Sequence, residues 1–121
     1  MEQTNTTTVY KILRPVEWEE AKANTAYMGS ADDIRDGFIH FSTAAQMPGT
    51  AHKYFTDIDE IYVLAFADDV FPSDMMKWEK SRGEQLFPHL YAPLNIKLAH
   101  LEKRLTRSRG QDFDFTDIIG D

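Results

Sequence analysis

The sequence predicts a single α+β domain, built on a twisted, mixed or mostly antiparallel sheet of about five to six strands with two main helices. The chain has 121 residues, of which 42% are hydrophobic, and this suffices for one compact core but not for two ordinary domains. Residues 61–66 are almost continuously apolar, as expected of a central strand covered on both faces. Residues 15–23 begin with a proline followed by glutamates, which is typical of a helix start.

Shorter patterns place the other strands and the tails. Runs of β-branched and aromatic residues predict strands at residues 9–13, 38–42 and 76–79. Residues 1–8 are small and polar, and residues 106–121 are mostly polar, so we expect a flexible N-terminal tail and a loosely attached C-terminal tail. One ordered domain should lie between them, at residues 9–105.

The second main helix is expected at residues 48–55, after a proline suited to a first turn. Its inward side chains should include Tyr54 and Phe55, together with Ala51. The most secure core residues are predicted from the strand and helix patterns, and they are Trp18, Ile39, Val63 and Leu64.

Two loop features accompany these elements. Asn24 should end the first helix in the left-handed conformation, because asparagine tolerates it better than most residues. Ser30 or Asp32 should cap a short turn that ends at Gly37.

Two segments have conflicting patterns. Residues 86–94 contain Pro88 and Pro93, which argue against a regular helix or a central strand and predict an extended segment or hairpin arm. Leucines at 94, 98, 101 and 105 fit a helical stripe, whereas residues 99–105 also fit a half-buried strand. Periodicity alone slightly favours the helix.

Composition excludes several classes of function. Thirteen Lys and Arg against twenty Asp and Glu give a net charge of −7, which repels phosphate backbones and argues against general nucleic-acid binding. No apolar run approaches the roughly 20 residues of a membrane span, and the polar start lacks signal-peptide features, so we expect a cytoplasmic protein with no membrane partner. With no cysteine, thiolate catalysis and cysteine-ligated metals are excluded.

Candidate chemistry concentrates where polar residues are flanked by aromatic ones, at residues 10–11, 38–43 and 87–91. Strand alternation puts His40 on one face with Phe38 and Ser42. A pocket formed by these stretches would offer two imidazoles, an ammonium group, hydroxyls and flat apolar walls, which suit a nucleotide or another aromatic, anionic ligand. His40 and His89 could equally be hydrogen-bonded core histidines.

We therefore expect a small-molecule cleft with His40 and His89 as catalytic candidates. The ligand-binding candidates are Lys11, Ser42, Thr43, Trp78 and Tyr91. Lys11, His40 and His89 should lie within about 10 Å of one another, a span that one small ligand could bridge. No phosphate loop, paired metal-binding histidines or nucleophile elbow is present, and no spacing requires a metal.

Four motifs together resemble the small bacterial family known as domain of unknown function 952. They are residues 10–13 with Trp18-Glu19, residues 36–43, residues 77–79 and residues 86–94. The resemblance extends over about residues 9–105 and implies that residues 99–105 form a strand, which we follow against the period count.

That family in turn resembles a minimal ADP-ribosyltransferase fold, in particular the NAD-dependent RNA phosphotransferases. The resemblance implies NAD as the cofactor and matches the second histidine motif of those enzymes at His40 and Ser42. Lys11 stands where many relatives have a histidine and would hold a phosphate or ribose oxygen. His40 would orient the ribose. His89 is the candidate whose place along the chain comes nearest to that of the activating glutamate in those enzymes, and it would serve as acid or base. The alternative is a non-enzymatic small-ligand or protein-interaction module that keeps the fold with a decayed site.

Overall fold

The computed structural model describes residues 7–24, 26–81 and 83–119. It is an α+β domain with six strands in two antiparallel sheets of three strands each. The strands are β1 (Thr8–Leu13), β2 (Ile39–His40), β3 (Glu60–Ala67), β4 (Met76–Lys80), β5 (Leu86–Leu90) and β6 (Leu101–Thr106). The helices are α1 (Pro15–Ala23), α2 (Ala31–Asp36), α3 (Met47–Tyr54) and α4 (Thr116–Ile119). None of these helices has the length and apolar character needed to cross a membrane.

The first sheet has the order β1-β3-β6 and confirms the predicted central strand. Successive side chains of β3 point to opposite faces, and both faces are covered. Leu64 packs into one core cluster with Trp18 and Ile39, while Val63 packs into the other. All four predicted core residues are buried.

The second sheet has the order β2-β5-β4 and is separate from the first, which corrects the prediction of one sheet. The first sheet is bridged to the segment after β2, where Tyr10 and Ser42 exchange backbone hydrogen bonds of 2.8 and 2.9 Å. The two sheets separate because only two residues of the predicted strand at 38–42 pair with β5, before the chain crosses to β1 at Ser42.

Strand β5 is the central strand of this sheet although it contains Pro88, so the prediction that proline excludes a central strand was wrong. The amide of Phe41 donates to the carbonyl of Pro88 at 2.9 Å. In an antiparallel pair the amide and carbonyl of one residue point to the same neighbour, so the nitrogen of Pro88 also faces Phe41. Since β2 ends at His40, the donor that Pro88 lacks would have bonded just beyond the end of the two-residue strand.

The loops around α1 and α2 follow the sequence with one exception. α1 has the predicted bounds, but Asn24 is extended, with φ −124°, rather than left-handed. Its side-chain amide donates to the carbonyl of Glu20 and thereby satisfies the helix end without a left-handed turn. Ser30 caps α2 by accepting from the amide of Asp33, and Gly37 ends the helix at φ 89°.

Helix α3 presents Met47 and Ala51 to the core, and Phe55 follows them on the same stripe. Tyr54 lies off this stripe and is 43% exposed, so its predicted inward position was wrong.

The chain ends are packed more closely than the polar sequence suggests. Residues 101–106 form β6, as the family resemblance implied and against the helical period. Phe113 and Phe115 are buried in the cluster that contains Leu105, so the segment after β6 is attached to the core rather than loose. Residues 1–6 of the predicted N-terminal tail lie outside the described residues, and Thr8 already pairs with Ala67.

Candidate functional site

Two histidines face each other across β2 and β5. His40 pairs with His89 in register, next to the hydrogen-bonded pair Phe41 and Pro88. Hydrogen-bonded and non-hydrogen-bonded pairs alternate in antiparallel sheets, so His40 and His89 form a close, non-hydrogen-bonded pair. Their ring centroids are 5.4 Å apart, and one ring stands edge-on to the other. The pairing links residues 49 positions apart in the sequence.

Asp33 holds His40 from α2. Its Oδ1 accepts hydrogen bonds from the amide of His40 at 3.1 Å and from its Nδ1 at 2.6 Å. Its Oδ2 accepts from Nζ of Lys11 at 2.8 Å. Burial alone would raise the pKa of Asp33, but the hydrogen bond from His40 and the charge of Lys11 outweigh it and hold that pKa below its ordinary value. Asp33 is therefore an ionised carboxylate that fixes the His40 ring.

The second nitrogen of His40 faces another carboxylate. Nε2 lies 3.1 Å from Oδ2 of Asp36, one helical turn beyond Asp33. A neutral imidazole can donate through only one nitrogen, whereas an imidazolium can donate to both carboxylates. The side chain of His40 is one-third exposed.

Lys11 is placed beside the histidines but does not line the cleft between them. Its Nζ donates to Asp33 and, at 2.9 Å, to the carbonyl of His40. The side chain is only 6% exposed. Lys11 therefore lies next to His40 but supports it through Asp33 and its carbonyl, and does not face the cleft.

His89 is held by Glu79 on the neighbouring strand β4. Nδ1 lies 2.7 Å from Oε1 of Glu79, which also accepts from the hydroxyl of Tyr91 at 2.8 Å. The ring of Phe38 stacks on the His89 ring with centroids 4.1 Å apart. Burial lowers the pKa of His89 below its ordinary value, and it outweighs the opposing effect of Glu79.

Nε2 of His89 is buried, and no residue that the structure describes forms a hydrogen bond with it. Buried polar atoms are paired in the great majority of cases, so an unpaired one next to a cleft is a candidate contact for a ligand.

A cleft of about 130 Å³ is lined by both histidines. Its hydroxyl groups come from Tyr10, Ser30, Ser42, Thr50, Tyr54 and Ser81. Ser42 is buried and its Oγ lies 3.0 Å from Oγ1 of Thr50. An adjoining cavity of about 240 Å³ shares part of this wall and adds Arg14 and Glu17.

Besides Lys11, three further predicted ligand-binding residues lie outside this lining. Thr43 exchanges hydrogen bonds with Gln46 in the turn before α3. Trp78 projects from the opposite face of the sheet and packs against the core. Tyr91 donates its hydroxyl hydrogen bond to Glu79, and its ring lies 5.2 Å from that of Phe38, but it does not line the cleft.

Sequence reasoning missed Asp33 and Asp36 as site residues. The signal that could have found Asp33 is its place three residues after the capping Ser30, where a carboxylate turns back towards the cap. Within the described residues, no group of three His, Asp or Glu side chains could hold a metal ion.

Comparisons with known proteins show the family and the fold. Residues 12–100 match the family described as "Protein of unknown function (DUF952)". The crystal structure of protein CC0527 from Caulobacter crescentus is 40% identical with a TM-score of 0.84, covering 92% of this chain and 96% of that one. The solution structure of CC0527 is 38% identical with a TM-score of 0.79, covering 93% and 97%. No curated protein matches the chain.

Proposed function

Since the chain belongs to the DUF952 family of proteins of unknown function, we propose an activity from its own residues. We propose that the cleft binds a nucleotide-like ligand such as NAD or an ADP-ribose derivative. The observation that carries the proposal is the His40–His89 pair, in which two imidazoles 5.4 Å apart line one cleft and each is held by its own carboxylate. The ADP-ribosyltransferase-like fold implied by the sequence motifs is part of this proposal.

The dimensions of the cleft suit one ring of such a ligand. Its volume of about 130 Å³ is below the roughly 300 Å³ at which sites for whole drug-sized ligands begin. A ribose or a nicotinamide ring would occupy this part, and the remainder of the ligand would extend into the adjoining cavity beside Arg14. The hydroxyl-rich wall offers both donors and acceptors to a sugar.

The two histidines are suited to opposite roles in acid–base chemistry. His89 has a lowered pKa and an unpaired nitrogen, so it is the candidate base for a water or ribose hydroxyl. His40, between Asp33 and Asp36, is the candidate to orient the ribose or to donate a proton. Lys11 supports His40 indirectly, because its ion pair fixes Asp33. Turnover of NAD would break the bond between C1′ of the ribose and the nicotinamide nitrogen, with neutral nicotinamide leaving. The oxygen of a water or hydroxyl would form the new bond to C1′ and give its proton to His89.

A binding module without turnover is the second candidate function, and the burial of Lys11 favours it. The cation that would hold a phosphate is engaged by Asp33 and is absent from the cleft lining. Such a module would use the same cleft for recognition only.

Calorimetric titration of NAD, ADP-ribose and AMP, with an assay for nicotinamide release, tests both candidates. We expect weak binding by the wild type and weaker binding by His40→Ala. For an enzyme, His89→Ala should abolish release while affinity stays within about tenfold, or 1.4 kcal/mol. The matched control is His52→Ala, a histidine whose side chain is 78% exposed, which should change neither quantity.

If the wild type binds a ligand but releases no nicotinamide, the enzyme candidate is wrong and the binding module remains. If none of the three compounds binds, the nucleotide proposal itself is wrong.

A further inference from the structure

We infer that the ligand group received at His89 is an uncharged hydrogen-bond donor, a sugar hydroxyl, so that a nucleotide-like ligand enters the cleft sugar first with its phosphates outside. This inference rests on the proposed function and adds to it the chemical class and the orientation of the ligand. Three properties of the site carry it: the tautomer of His89, the burial of its free nitrogen, and the charge of the cleft wall.

Glu79 fixes the tautomer of His89. Hydrogen bonds from His89 and then from Tyr91 hold the pKa of Glu79 below its ordinary value. The carboxylate is therefore ionised and can only accept hydrogen bonds, so Nδ1 of His89 must carry the proton that the two groups share at 2.7 Å. In a neutral ring the other nitrogen, Nε2, then has no proton and can only accept.

Because Nε2 is buried, its partner in the cleft has to be a hydrogen-bond donor. His89 is 3% exposed, and Phe38 covers its ring face at a centroid distance of 4.1 Å. An acceptor in this position gains from a donor and is left unpaired by a group that only accepts, such as a carbonyl or phosphate oxygen. A hydroxyl is a donor small enough for a cleft of about 130 Å³.

Charges along the cleft wall exclude a phosphate from the same place. Among the residues that the structure describes, the lining includes Asp32, Asp33 and Asp36 and the permanently charged cation Arg35. The guanidinium of Arg35 is already paired, at 3.0 Å with Asp32 and at 3.2 Å with Asp36. Lys11 is turned away into its ion pair with Asp33. An anionic group beside His89 would therefore meet carboxylates, and neither Arg35 nor Lys11 would be free to balance its charge, whereas a sugar hydroxyl carries no charge to balance.

Three compounds test the hydroxyl and the phosphate parts of this inference separately. Adenosine, 2′,3′-dideoxyadenosine and AMP are titrated into the wild-type protein by calorimetry. The free sugar hydroxyls of a 5′-nucleotide are the 2′ and 3′ groups, which the dideoxy compound lacks. We therefore expect adenosine to bind about tenfold or more tightly than the dideoxy compound, because loss of these two donors leaves Nε2 unpaired. AMP should bind no more tightly than adenosine, since its phosphate gains nothing inside the cleft.

The variant His89→Phe keeps a flat ring and removes the acceptor. In this variant the preference for adenosine over the dideoxy compound should disappear, whereas it should persist in His52→Phe, the exposed control. Equal binding of adenosine and dideoxyadenosine by the wild type would overturn the inference and leave the proposed function intact. Absence of binding by all three, together with NAD and ADP-ribose, would overturn both.

Nitrogen NMR of histidine-labelled wild-type protein tests the same point without a ligand. The expected spectrum above neutral pH shows Nδ1 of His89 protonated and Nε2 unprotonated. A proton on Nε2 would overturn the inference whatever the titrations show.

Discussion

Nζ of Lys11 lies 2.8 Å from Oδ2 of Asp33, and both side chains are almost completely buried. This ion pair joins β1 to α2 and, through the second oxygen of Asp33, fixes the ring of His40. A residue expected to touch a ligand is therefore part of the support beneath a residue that lines the cleft.

Replacing Lys11 by methionine should lower the free energy of unfolding by about 3–5 kcal/mol, because it leaves the carboxylate of Asp33 buried without its cation. Denaturant unfolding measures the change. Lys22→Met removes an exposed ion pair with Glu19 and should cost less than about 1 kcal/mol. Equal effects of the two substitutions would contradict the assigned role of Lys11.

Acidification should destabilise the protein through His89. Burial lowers its folded-state pKa below the unfolded value of about 6.5, so its contribution is complete above that pH and is lost as the pH falls through the folded-state pKa. Melting temperatures between pH 8 and pH 5 should therefore fall less steeply for His89→Gln than for the wild type. His52→Gln is the control, and a variant curve parallel to the wild type would count against a buried neutral His89.

Removing the ring of Phe38 should raise the pKa of His89 towards its ordinary value. Desolvation is the largest cause of the lowered pKa, and Phe38 stacks directly on the imidazole. Glu79→Gln should have the opposite effect and lower the pKa further, since the carboxylate favours the charged ring. Proton NMR titration measures the pKa of His89 in Phe38→Ala and in Glu79→Gln. If both substitutions shifted this pKa in the same direction, the description of the site would be wrong.

Val63→Ala should cost about 1–3 kcal/mol of stability, since Val63 is fully buried in the central strand β3. Val63 itself does not line the cleft, so ligand affinity should change little. An unaltered melting temperature would contradict the packing of β3.

Local patterns in the sequence predicted the elements with strong local signals. Pro15 and the glutamates after it set the start of α1, Ser30 and Gly37 set the ends of α2, and the apolar run of β3 set the central strand. β6 was placed only through the family resemblance, because its leucine spacing also fits a helix.

Long-range relationships could not be read in this way. The central position of β5 depends on which side of the strand the nitrogen of Pro88 faces, and that is decided by where β2 ends. His40 and His89 were predicted to be neighbours. The partners that fix their rings are Asp33 on helix α2 and Glu79 on strand β4, and only the folded chain defines where these elements lie.

Histidine-selective NMR tests the central claim, that His40 and His89 line a ligand cleft, most directly. The chain has four histidines, and the other two, His52 and His100, are outside the cleft lining. On addition of adenosine or ADP-ribose, the ring signals of His40 and His89 should shift together and saturate at one dissociation constant, while those of His52 and His100 stay in place. Unchanged signals from all four rings, or equal shifts of His52 and His100, would contradict the claim.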